Sequence, residues 1–367
     1  MTMSHFKFRL VLTAALLSSA LSLQASQPAP SASATPAPVR TKSEVEALIQ
    51  KEGPTPPDWW EATPLNFPKT LDLTMPPPPK GVWDAQKNVG QYFWSVINEN
   101  ASKWKEGVKL ASHLATLNEK DATKVSNMQG QMAHLYANCL GDYARAAYWW
   151  QKRGDTDTED LAYCYWKLGC KDYAKEVLGR CGNDDTRHGS LIKLWADLGE
   201  FDRALKEAEV KAGFDKQDIA WLMAGEACRN AGRYADALKY YEKVLAVDPS
   251  KAGRDFKQSK ARAQASIDAI KVYDSLDLKR IPDGVYKNSS TGYTGPVTVE
   301  LTVKNAKIDD VKVTQHTEKQ FYGSLTETPR QIILKQGVKG VDTYTSATIT
   351  SEAIINACAK ALAAGTK

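Results

Sequence analysis

What this chain of 367 residues does without excludes several chemistries at once. No Cys-x-x-Cys occurs among Cys139, Cys164, Cys170, Cys181, Cys228 and Cys358, so neither a dithiol redox pair nor a covalent haem site is available. These cysteines read as small apolar side chains at helical positions, with a disulfide within the set Cys164, Cys170 and Cys181 as the lesser alternative. His113, His134, His188 and His316 are scattered without metal-ligand spacing, so no metal site is expected. There is no dinucleotide-binding glycine fingerprint and no pair of general acids. The net charge is only +5, from 48 basic and 43 acidic residues, which is too balanced for a nucleic-acid binder.

Long apolar runs are also scarce. The one candidate is Leu10 to Leu23, which follows a start containing Lys7 and Arg9 and precedes Gln24 and Ala25. It is short of the roughly 20 residues that a membrane span needs. We read residues 1–25 as a signal peptide and expect an exported, periplasmic protein, with an uncleaved N-terminal anchor as the lesser alternative. No cysteine follows the apolar stretch, which argues against lipoprotein processing.

What is present divides into three textures. Residues 26–80 hold two Pro-rich tracts around the helix-like SEVEALIQKE, a composition that predicts a tether. Trp59 and Trp60 within it are expected to pack back on the folded body rather than to mark a partner contact. Residues 81–278 are helical and repetitive. GDYARAAYWW, KDYAKEVLGR, GEFDRALKEA and GRYADALKYY start at 141, 171, 199 and 232, which are 30, 28 and 33 residues apart, and place Tyr143, Tyr173, Phe201 and Tyr234 in register. Such a period predicts stacked helical hairpins, an all-α solenoid. The last copy, with Trp221, Gly225, Gly232, Tyr234, Ala237, Tyr241 and Pro249, resembles a tetratricopeptide repeat, although Ala224 and Cys228 replace the usual large residues. An amphipathic helix through Phe256, Ile267 and Ile270 is expected to cap the stack. Trp149, Trp150, Trp166 and Trp195 suit inter-helix packing better than an aromatic groove for a peptide.

Residues 279–367 change to a small α+β pattern. Val297, Val299, Leu301 and Val303 alternate with polar residues, turn at Asn305 and Ala306, and return through Ile308, Val311 and Val313, as a β-hairpin does. In ETPRQIILKQG, Thr328 is placed to cap a helix with Pro329 in its first turn. A last helix ends at Gly365. Just before it, DTYTSATITS (342–351) crowds small hydroxyl side chains behind Asp342. Thr348, Thr350 and Ser351 compete to cap the helix, yet one cap suffices. The alternative is an anion site at the helix N-terminus, with a phosphate among the amides and hydroxyls.

The pattern Asp342-x-x-Thr345-Ser346-Ala347-Thr348-x-Thr350-Ser351 resembles the flavinylation motif of the FMN-binding domain found in subunits of sodium-pumping NADH:quinone reductase and Rnf complexes. Gly292, Tyr293, Gly295 and Pro296 are similar to the start of that domain, and Ser346 stands where many members have glycine. The resemblance implies FMN joined through its phosphate to Thr348 by a separate flavin transferase that uses FAD. It also implies a protein redox partner, membrane-bound in those complexes. The motif holds no His or Lys to activate the hydroxyl, so the base or metal must come from the modifying enzyme. Small Ser346 and Ala347 leave room for that enzyme, and Asp342 either orients the loop or is read by the transferase. Tyr293, Phe321, Tyr322 and Tyr344 are candidate contacts for the flavin ring, and Thr328 with the amides after Pro329 is a second candidate phosphate or ring-edge site. The function expected is that of an exported electron carrier whose repeats hold a protein or peptide partner. Two alternatives stay open: a repeat-based adaptor without a working flavin, and a flavin-dependent reductase that shares its site with a partner.

Overall fold

The computed structural model describes residues 38–181, 188–214, 216–319, 321, 323–344 and 347–366. The signal peptide reading, Tyr322, Thr345 and Ser346 lie outside the described residues. The helical part opens with α1 (Lys42–Glu52), α2 (Val89–Tyr92) and α3 (Trp104–Leu117). Four hairpins follow: α4 (Ala122–His134) with α5 (Tyr143–Arg153), α6 (Glu159–Lys167) with α7 (Lys171–Arg180), α8 (His188–Asp197) with α9 (Phe201–Ala212), and α10 (Gln217–Asn230) with α11 (Tyr234–Leu245). The four aligned sequence stretches are the turns and second helices of these hairpins. Each turn needs one residue in the left-handed region, and Gly141, Gly169, Gly199 and Gly232 supply it with φ of 67°, 96°, 79° and 73°. The capping helix is α12 (Phe256–Val272).

The Pro-rich segment is not a tether from residue 38 onward. Thr41 and Glu44 form a reciprocal cap on α1, and Val45 and Ile49 on its inner face are fully buried. The Arg40 amide donates to Gly169 O at 3.0 Å, and Lys109 Nζ donates to the carbonyls of Trp60 (2.9 Å) and Thr63 (2.8 Å). Trp59 packs on Tyr136, with ring centres 6.4 Å apart, as the packing reading of this pair expects. The composition hides this because extended Pro-rich backbone has few donors of its own to satisfy, so a few side chains suffice to pin it. None of the six cysteines forms a disulfide, so the disulfide alternative falls away. Trp150 and Trp195 are core residues.

The C-terminal part is a three-stranded antiparallel sheet in the order β1 (Gly284–Thr291), β2 (Pro296–Lys304) and β3 (Lys307–Gln315), with α13 (Ser324–Lys335) and α14 (Thr348–Gly365). Asn305 and Ala306 both take positive φ (53° and 55°), the geometry that lets a two-residue turn match the strand twist. Val297, Val299, Leu301 and Val303 are buried beneath α14, which lies against β1 and β2 on one side and α12 on the other. That double burial explains why the run Thr350–Ala359 is buried on every face. Among the described residues, no helix is long and apolar enough to cross a membrane.

Candidate functional site

The segment before α14 is held from both sides. Ser351, fully buried, accepts from the Tyr344 amide at 3.0 Å and from the Thr328 hydroxyl at 3.1 Å. Thr350 donates to Glu318 Oε2 at 2.6 Å. Both hydroxyls therefore turn inward, and neither caps the helix. The cap position is Ala347, which has no side-chain acceptor, so among the described residues no side chain caps the first amides of α14. Thr348 stands at the first helical position, half-buried.

The second site expected from sequence does not form. Helix α13 begins at Ser324, a full turn earlier, so Thr328 and Pro329 lie inside it and Thr328 caps nothing. Its fully buried hydroxyl instead ties α13 to Ser351 of α14. The added turn is secured by the hydroxyls of Ser324 and Thr326, which donate to the carbonyls of Phe321 and Gly323.

Glu318 is a site residue that sequence reading missed. Buried to 5% exposure, it accepts from the amides of Tyr293 (3.0 Å) and Thr294 (2.9 Å) as well as from Thr350, and so links the β1–β2 turn to the first turn of α14. A Cβ on Gly292 would lie 2.7 Å from Glu318 Oε1, so the turn must have glycine there for the carboxylate to seat. The Tyr293 ring itself is exposed, whereas Phe321 packs between Trp104 and His316 and Tyr344 donates to Asn138 O at 3.3 Å. Phe321 and Tyr344 thus serve the junction with the helical part, and burial holds the Tyr344 phenol well above its ordinary range.

That junction is extensive. From one end of the stack to the other, Glu99 meets Lys319, Trp104 meets Phe321, Asn138 meets Tyr344, Lys193 meets Asp342, Asn230 meets Thr343, and Arg229 meets Glu352. Beside Asp342 lies a cavity of about 190 Å³ lined by Trp166, Ala196, Asp197, Asn230, Ala231 and Asp342. Lys193 Nζ sits 2.6 Å from Asp197 Oδ1 and 3.3 Å from Asp342 Oδ1. Burial disfavours its ammonium, but the two carboxylates outweigh burial and raise it above the ordinary lysine range. Burial pushes Asp197 up to about 6, with Lys193 opposing and Asp342 adding to the rise. Lys167 is lowered by burial against the pull of Asp342 and Asp197, and its Nζ lies 4.1 Å from the centre of the Trp166 ring. Asn230 Nδ2 donates to Thr343 Oγ1 at 3.0 Å, while its Oδ1 is buried without a partner.

These residues fit a phosphate at the start of α14 with a hydrogen-bonding ring nearby: uncapped amides, a small residue before the helix, and an orphaned buried amide oxygen in the adjoining cavity. Of the sequence-derived cofactor candidates, the structure brings together Asp342, Ala347, Thr348, Thr350, Ser351 and Thr328, the last as a support within a helix.

The model of the FMN-binding domain family matches residues 292–363, which span β2, β3, α13 and α14. The model of the tetratricopeptide repeat matches residues 219–251, which cover most of α10 and all of α11. Comparison with curated proteins and with solved structures gave no match. The chain therefore joins an FMN-binding domain to tetratricopeptide-like repeats, and is a flavin-binding protein with a repeat domain.

Proposed function

From a chain that joins an FMN-binding domain to helical repeats, we propose an exported electron-transfer flavoprotein whose FMN is esterified to Thr348. The observation that carries this reading is the division of labour at the start of α14. Thr350 and Ser351 are spent on Glu318, Tyr344 and Thr328, whereas Thr348 stands at the first helical turn beside uncapped amides. In attachment, the Thr348 oxygen takes the FMN phosphorus from FAD, the pyrophosphate bond breaks, AMP leaves, and a base on the flavin transferase accepts the hydroxyl proton. The product keeps a negatively charged phosphodiester at the positive end of a helix dipole.

Bound flavin supplies one- and two-electron chemistry. The chain's own residues position it: Ser351 fixes the loop through the Tyr344 amide, and Glu318 fixes the helix start through Thr350. Covalent attachment suits export, because a micromolar complex is worth only about 8 kcal/mol and dissociates where free flavin is scarce. We read the protein as an electron carrier rather than a stand-alone catalyst. Its partners are then the transferase during maturation and a redox protein thereafter, soluble or in the membrane. The repeats hold the flavin domain in cis, so we place the redox partner on their remaining outer surface.

Chain produced with a flavin transferase and FAD is to be compared with a Thr348→Ala variant by intact mass and by flavin fluorescence after denaturation. The reading expects a gain of one FMN less one water, with fluorescence that survives denaturation, in the parent alone. No such gain in the parent, or the same gain in both chains, overturns it.

A further inference from the structure

We propose that the cavity between the repeats and the motif receives the pyrimidine end of the flavin ring, so that the repeat domain supplies part of the cofactor site. This rests on the reading of Thr348 as the attachment point. The walls come from the C-terminal ends of three successive first helices: Trp166 at the end of α6, Ala196 and Asp197 at the end of α8, and Asn230 with Ala231 at the end of α10. Asp342 closes the fourth side, six residues before Thr348.

The chemistry of the walls matches that end of the ring. A flavin pyrimidine edge offers one N–H flanked by two carbonyls and gathers negative charge on reduction. The buried Asn230 Oδ1, which has no partner, is an acceptor for such an N–H. Lys193 Nζ meets both wall carboxylates, Asp197 and Asp342, and Lys167 Nζ lies over the Trp166 ring, so ammonium groups behind the walls offset those carboxylates as the ring gathers charge. Trp166 gives the planar ring an apolar wall, and the two alanines leave room for close approach. A cavity of about 190 Å³ takes one end of a tricyclic ring and leaves the other toward solvent, where a partner exchanges electrons with it.

An ordinary interdomain seam accounts for less of this. The Arg229–Glu352 contact next to it is closed and fully buried, whereas here an acceptor is left unpaired and the Asp342 side chain is 49% exposed. Leaving a buried acceptor unmatched is unfavourable unless something else meets it.

The test uses the full chain, flavinylated and checked by mass, as parent, Trp166→Leu, Trp166→Tyr, Asn230→Leu and Lys193→Gln. A ring beside an indole is quenched, so the parent's flavin fluorescence should rise several-fold on denaturation. Trp166→Leu should show much of that rise while still folded, and Trp166→Tyr less of it. Asn230→Leu should shift the visible absorption bands, and Lys193→Gln should lower the midpoint potential. Thermal melts confirm folding, and Asn230→Leu tests the same wall should the Trp166 variants not fold. Fully loaded, folded variants with the parent's fluorescence, absorption and potential overturn the assignment. Absence of a mass gain in the parent instead overturns the attachment reading on which it rests.

Discussion

The FMN-binding domain meets the repeats in two places that differ in kind. At the middle of α14, Glu352 faces Arg229 at 3.4 Å with both side chains 4% exposed, Tyr241 donates to the same carboxylate at 3.2 Å, and Arg262 pairs with Glu226 at 2.8 Å. Burial and the neighbouring Glu352 hold Glu226 well above the usual carboxylate range, against the pull of Arg262 and Arg229. At the start of α14 the contacts are interrupted by a cavity, and the Asp342 side chain is half-exposed. The first region is a lock, in which Arg229, Tyr241 and Glu352 hold one another and Arg262 holds Glu226. The second leaves the Asn230 Oδ1 unpaired and Asp342 half-exposed beside a cavity, which is what the proposed site draws on.

The contrast is broken most directly at the lock. Glu352→Ala leaves Arg229 buried without its carboxylate and is expected to cost about 3–5 kcal/mol in urea unfolding. A loss below about 1 kcal/mol would mean that the two domains are not held there. Ser351→Ala removes the acceptor of the Tyr344 amide and the Thr328 hydroxyl inside a fully buried position, and should cost about 1–3 kcal/mol. Because it also frees the loop, FMN incorporation measured by mass should fall with it.

A pH effect sharpens the picture on the motif side. His134 lies one helical turn before Asn138, whose carbonyl accepts from Tyr344 and whose side-chain amide meets His134 Nδ1 at 2.9 Å. Burial pushes His134 down to about 4. Between its ordinary value near 6.5 and 4, the unfolded chain takes up a proton that the folded chain refuses, so stability falls as pH drops through that window, by up to ~2 kcal/mol after allowance for partial exposure. His134→Gln should flatten that slope in melts between pH 7 and pH 4, and an unchanged slope would refute the assignment. The smallest effect is expected at Asp342→Asn. With the carboxylate half-exposed, stability should change by less than about 1 kcal/mol, whereas FMN loading should slow.

Much of this was legible in the sequence because it is periodic or local. The aromatic register Tyr143, Tyr173, Phe201 and Tyr234 gave the hairpins, the alternation Val297 to Val303 gave the central strand, and the apolar run after Ser351 gave the last helix. The start of α13 was misplaced because Pro at a first turn is the commoner arrangement, and the turn from Ser324 to Glu327 carries no periodic signal of its own. Residues 38–80 were misread because composition registers the prolines but not Lys109, which meets them from about 50 positions away in sequence. Glu318 sits alone in a polar loop, and its only trace is the glycine that its carboxylate requires at 292. Lys193 and Asp197 read as an ordinary pair one turn apart on a helix, and only the fold sets Asp342 against them.

The central claim is that repeats and FMN-binding domain form one cofactor site. Hydrogen exchange by mass spectrometry, comparing flavinylated chain with unloaded Thr348→Ala chain, tests it most directly. The account predicts added protection both at the start of α14 and at the C-terminal ends of α6, α8 and α10. Protection confined to the motif and α14, with the helix ends unchanged in fully loaded protein, would contradict it.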